Sequence, residues 1–148
     1  MTYDTMLPDP DRHAEFYAGV PTKRALAWVA DMVLIAVVTA IIVPFTAFTA
    51  LFFLPFLYLV VGFVYRTLTL AGGSATWGMR LMAIELRDYR GQRFDLATAI
   101  LHTLGYSISI GMVAPQVLSA GLMLVTPRAQ GLTDLLMGSV AINRAARY

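Results

Sequence analysis

No Asp, Glu, Lys or Arg occurs between Asp31 and Arg66, nor between Asp95 and Arg128. Apolar stretches of that length are too long for a small globular core. They suit the roughly 30 Å hydrocarbon layer of a bilayer, which takes about 20 helical residues. The chain of 148 residues is 58% hydrophobic and 14% charged, against about 45–50% and about 25% in soluble domains, and its mean hydropathy is +0.67. The expected class is an all-α membrane protein: a small helical bundle with three or four membrane-embedded segments and a short cytoplasmic β-hairpin.

Residues 1–22 form a polar lead-in with Pro8, Pro10, Gly19 and Pro21, expected to be loop-like with a short helical piece around 12–17. Its acidic residues and the lack of a basic region followed by an apolar run argue against a signal peptide. The membrane domain is expected over 23–143. From Ala25 to Tyr65 the chain has 41 residues and one charge. As one helix this would measure about 60 Å, twice the layer, so two crossings are expected. Pro44 and the residues after it mark the turn, giving helices at about 24–43 and 50–66, the second kinked at Pro55.

Residues 67–95 form the cytoplasmic loop. Gly72-Gly73-Ser74 reads as a turn, Trp77 suits a headgroup boundary, and 81–94, folding about Gly91, is the best hairpin candidate. The block 96–125 has 30 uncharged residues divided by Gly105, Gly111, Pro115 and Gly121. It reads either as one tilted crossing or as a re-entrant or broken pair. A tail of 144–148 follows.

Ten of the eleven basic residues are Arg. Lys23 and Arg24 precede the first helix, while Arg66, Arg80, Arg87, Arg90 and Arg93 follow the second. The positive-inside rule then puts the N-terminus and the loop in the cytoplasm. Arg128, Arg144 and Arg147 favour the same side, hence an even number of full crossings. A single tilted third crossing, with the tail outside, is the alternative. The pI of about 9.2 does not indicate nucleic acid, because the arginines flank apolar blocks instead of forming a basic stripe with stacking aromatics. The chain has no Cys, which excludes thiolate nucleophiles and Cys-ligated metals. No metal-ligand spacing, nucleophile elbow or phosphate loop appears. No cofactor and no enzymatic activity are expected.

Asp31 stands out, since a carboxylate at membrane depth needs a partner, water or a proton. It reads as a packing lock made with Arg24 or another polar group, or as an ion or proton site. Arg24 lies two turns earlier on nearly the same side, a long reach for direct contact. His102 reads as a packing histidine or as a candidate proton relay, its reference pKa lying near neutrality.

Three segments resemble the RDD family of small bacterial membrane proteins: Pro21-Thr22-Lys23-Arg24-Ala25-Leu26-Ala27-Trp28-Val29-Ala30-Asp31, Gly78-Met79-Arg80-Leu81-Met82-Ala83-Ile84-Glu85-Leu86-Arg87-Asp88, and Leu132-Thr133-Asp134-Leu135-Leu136-Met137-Gly138-Ser139-Val140. Arg24, Asp31 and Asp134 match its name-giving arginine and two aspartates, and the likeness runs over about 17–143. It implies three membrane regions and, from members linked to sodium/proton exchange, a polar cluster of Arg24, Asp31 and Asp134 near the cytoplasmic side. Met79 departs from the Lys common at that position, and 129–131 lacks the usual basic enrichment. Asp134 is expected at the mouth of the bundle, paired with Arg24. The expected function is an accessory or structural subunit of a larger complex in the bacterial inner membrane. The alternative is a small transporter or cation/proton antiporter using Asp31. Expected partners are membrane lipids and another membrane protein or further copies of the chain.

Overall fold

The computed structural model describes residues 6–144. Residues 1–5 of the lead-in, and the tail beyond Arg144, lie outside them. A short 3-10 turn at Ala14–Phe16 leads into α1, Val20–Phe45, with Pro21 in its first turn, where a missing N–H leaves nothing unpaired. Pro44 stands in the last turn of α1. The chain then reverses through Ala47 and Phe48, both at positive φ, and a 3-10 segment at Thr49–Phe53. Next comes α2, Leu54–Gly73. Pro55 opens α2 where the sequence reading had it kinking a helix already under way. The helix starts at Leu54, so this proline also falls in a first turn.

The helix α2 also runs past Arg66. Gly72 and Gly73 are its last residues, and Ser74 ends it in the left-handed conformation, φ 60°. Ser74 is fully buried and joins three segments. Its carbonyl accepts from Leu86 N, and its hydroxyl donates to Leu86 O and accepts from Phe94 N. The short α3, Trp77–Leu81, is capped by Thr76, whose hydroxyl accepts from Met79 N at 3.2 Å. The strand β1 covers Ile84–Arg87.

Its partner is not the segment after Gly91. That segment turns back on Asp88, whose carboxylate accepts from the backbone of Arg90 and Gln92, and leads straight into a helix. The second strand is β2, Val140–Asn143, antiparallel with Ile84 opposite Asn143 and Arg87 opposite Val140. Alternation gives the two-stranded sheet two covered faces. Ile84, Leu86 and Ala141 pack with Val20, Ala27 and Leu70 of the bundle. Val140 and Ile142 pack with Leu7, Phe16 and Tyr17 of the lead-in. Two strands are marginal alone, and here neither face is left to solvent. The lead-in is further tied down by Asn143, which donates to Glu15 O and Ala18 O and accepts from Lys23 Nζ at 2.6 Å.

The third apolar block breaks at Met112 into α4, Leu96–Gly111, and α5, Val113–Val125, bent by 116°. Met112 is extended, and Pro115 sits in the first turn of the new helix. The helix α6, Leu132–Met137, follows. Because β1 precedes α4 and β2 follows α6, the pairing of the strands brings the start of α4 and the end of α5 to one end of the bundle. By length and bend the pair is a broken span or a re-entrant pair, and this convergence matches the second. Among the described residues two helices are long and apolar enough to cross a membrane, α1 with its lead-in turn and α2 with the 3-10 segment before it. The three membrane regions implied by the family resemblance correspond to α1, α2 and the bent pair. The outer faces, including Val33, Val37, Ile41, Phe56, Leu68 and Val117, are exposed and apolar, as a lipid-facing bundle requires.

Single cysteines introduced into this Cys-free chain test the arrangement. Gln92→Cys and Pro127→Cys are expected to react with an impermeant maleimide from the same face of sealed vesicles, and Thr49→Cys only from the other. Labelling of the first two from opposite faces would make α4 and α5 a crossing.

Candidate functional site

Two buried carboxylates organise the end of the bundle that carries the sheet. Asp134, on α6, is 1% exposed. Its Oδ2 accepts from Arg24 Nη1 at 2.5 Å and from Gly131 N at 3.1 Å. Its Oδ1 accepts from Ser139 Oγ at 2.8 Å and lies 2.9 Å from His102 Nε2. An ionised carboxylate only accepts, so Nε2 carries the proton of that bond. Four donors thus fill its four lone-pair directions. The local fold sets this up: Asp134 is the third residue of α6 and reaches back to the N-cap backbone, as in a capping box. Gly138 takes the left-handed φ of 72° needed to end the helix, so that Ser139 N reaches Asp134 O.

Asp31, in the middle of α1, is equally buried at 1%. Its Oδ1 accepts from Tyr65 Oη at 2.6 Å and Gly78 N at 2.9 Å, and its Oδ2 accepts from Thr76 Oγ1 at 2.6 Å. It therefore ties α1 to α2 and to the start of α3. Gly78 is required for the approach, since a Cβ there would lie 2.2 Å from Ala27 O and 2.8 Å from Asp31 Oδ1. The nearest cation is Arg66, with Nη1 4.0 Å from Oδ2.

The structure brings Arg24, His102 and Asp134 into direct contact and places Asp31 in a separate network. Both networks face one cavity of about 400 Å³, lined by Arg24, Asp31, His102 and Asp134 together with Arg66 and Tyr106. Sequence reasoning treated Arg66 as a flanking charge that sets orientation, yet it is 6% exposed and its guanidinium stacks on the Tyr106 ring at 3.8 Å. The one available signal was its position as the charge that closes the first uncharged block. Nothing in the spacing pointed to Tyr65, Thr76 or Ser139 as partners of the aspartates. Among the described residues no group of three or more His, Cys, Asp or Glu side chains is placed to hold a metal ion.

Burial works against the charged form of Asp134, but the Arg24 guanidinium, with help from His102 and Ser139, outweighs it and holds the carboxyl well below its ordinary range. A depressed folded-state pKa contributes stability that is present above the unfolded value, about 4, and lost as pH falls through the folded one. Asp134→Asn is expected to cost about 3–5 kcal/mol at neutral pH by stranding Arg24. It should also flatten the fall in melting temperature seen in the wild type below a pH of about 4. Unfolding of both proteins in detergent across that range checks this, and parallel pH profiles would remove Asp134 as the acid-labile group.

Residues 18–138, most of the chain, match the RDD family, and the chain belongs to that family. No curated protein and no solved structure matches it.

Proposed function

We propose that this RDD-family membrane protein is non-catalytic and serves as an accessory or structural subunit of a larger complex in the bacterial inner membrane. The observation that carries this reading is the occupation of both buried carboxylates by protein donors, four on Asp134 and three on Asp31. Asp31 and Asp134 accept seven hydrogen bonds between them from side chains and backbone on four helices and the segments flanking them. A carboxylate held this way locks helices together and offers little to a passing cation. A partner surface is available in the exposed aromatic group Phe52, Phe53 and Phe56 at the turn between α1 and α2. Lys23 bonds to β2, and Arg87, Arg93 and Arg144 gather around Glu85 on β1. This concentration of cations at the sheet end, with none in the turn between α1 and α2, supports a cytoplasmic placement of the sheet and the N-terminus.

One observation favours the second reading, a small transporter or cation/proton antiporter using Asp31. The cavity touches Asp31 and His102 together, so the carboxylate of that reading and the candidate relay histidine open onto one space.

Native mass spectrometry after extraction from the native membrane in mild detergent separates the two. A reproducible mass containing a second protein is the expected outcome. Homo-oligomers alone, combined with cation flux in proteoliposomes that disappears in Asp31→Asn while oligomeric state and melting temperature hold, would replace the subunit reading with the transporter.

A further inference from the structure

The cavity has a chemical bias that neither of these readings uses. Its carboxylates are largely occupied: Asp134 has four donors and Asp31 three, with Arg66 Nη1 standing 4.0 Å from Asp31 Oδ2. Its donors are not. Arg66 Nε and Nη1 are buried with no hydrogen-bond partner, an expensive state for a guanidinium inside a protein. The Tyr106 hydroxyl accepts from Trp28 Nε1 at 2.7 Å and keeps its own proton to give. Ser119 Oγ, likewise, accepts from Leu132 N at 3.0 Å. A space lined by unspent donors around a buried cation is complementary to an anion rich in acceptor oxygens.

The rim narrows the source of that anion. It is formed by Ala25 and Trp28 of α1 and by Ala120 and Leu124 of α5, all exposed. These side chains belong to the apolar outer surface that faces lipid. A phospholipid would lie against these four side chains with its acyl chains still in the bilayer, whereas a soluble anion would have to enter past Arg24, Gln116 and Thr133, the partly exposed polar residues of the lining. A tryptophan beside a charged headgroup is also where its amphipathic ring is favoured.

We infer that this cavity binds the phosphate of one anionic phospholipid, with Arg66 and Tyr106 on the phosphate oxygens and the chains leaving between α1 and α5. The site goes beyond the proposed function and stands whether or not a partner subunit exists. Lipid recognition by a basic pocket between membrane helices follows the same electrostatics as polybasic segments at membrane surfaces.

The test uses the full-length protein, stripped of lipid by detergent exchange and titrated in native mass spectrometry with palmitoyl-oleoyl phosphatidylglycerol, the matching phosphatidylcholine, and inorganic phosphate. One phosphatidylglycerol per chain is expected, bound at least about tenfold more tightly than phosphatidylcholine, as one charge-assisted contact warrants. That adduct should be lost in Arg66→Gln and in Ala120→Phe, which fills the mouth and leaves Arg66 in place. Should Arg66→Gln not fold, Ala120→Phe decides the matter. Equal binding of phosphatidylcholine, or an undiminished adduct in Ala120→Phe, overturns the site. Inorganic phosphate that competes as well as phosphatidylglycerol would assign the cavity to a soluble anion and overturn the lipid.

Discussion

Two carboxylates buried in an apolar bundle set the terms for the rest of this structure. An ionised carboxylate in such surroundings is tolerated only when its lone pairs are taken by donors. That requirement decides which segments must converge. Around Asp134 it draws α1, α4 and the turn after α6 together through Arg24, His102 and Ser139. Around Asp31 it draws α2 and the start of α3 onto α1 through Tyr65, Thr76 and Gly78. Lipid supplies no hydrophobic drive to bring helices together, so satisfied polar contacts and close packing must do so. Gly78, which lets backbone approach backbone, serves the same end.

The sheet closes the assembly. Its strands come from the two halves of the chain, and pairing them returns the bent α4–α5 pair to the end from which it started. Because Ile84, Leu86 and Ala141 point to one face and Val140 and Ile142 to the other, the sheet needs the bundle on one side and the lead-in on the other. The lead-in thereby gains a structural role that its composition did not suggest. Asn143 is the link, since it holds Lys23 and the carbonyls of Glu15 and Ala18 together. The same convergence encloses the cavity, in which Arg66 is the one charged side chain with no hydrogen bond from the protein.

Much of this was legible in the residues. The charge-free blocks identified the membrane segments, Pro44 marked the turn, and the depth of Asp31 called for a partner. The errors share a cause. Local rules make Pro55 a kink and Arg66 the end of the second helix, whereas Pro55 opens α2 and the helix runs on to Gly73, where the expected turn begins at Ser74. Whether a residue interrupts depends on where a helix starts and stops, and packing shifts those boundaries by several residues. The hairpin about Gly91 was a local solution to a strand whose true partner begins 53 residues after Arg87.

By itself the sequence determined that the chain enters a membrane, about where it does so, and that Arg24, Asp31 and Asp134 are chemically exceptional. Those properties depend on composition and spacing along one dimension, and burial in lipid responds to them directly. Only the tertiary structure decided that Arg24 serves Asp134 while Tyr65, Thr76 and Gly78 serve Asp31, that β1 pairs with β2, and that Arg66 faces a cavity. Each of these is a contact between residues distant in the chain, chosen by competition among many donors for a few buried acceptors. Such a competition is settled by three-dimensional geometry, which spacing along the chain does not encode.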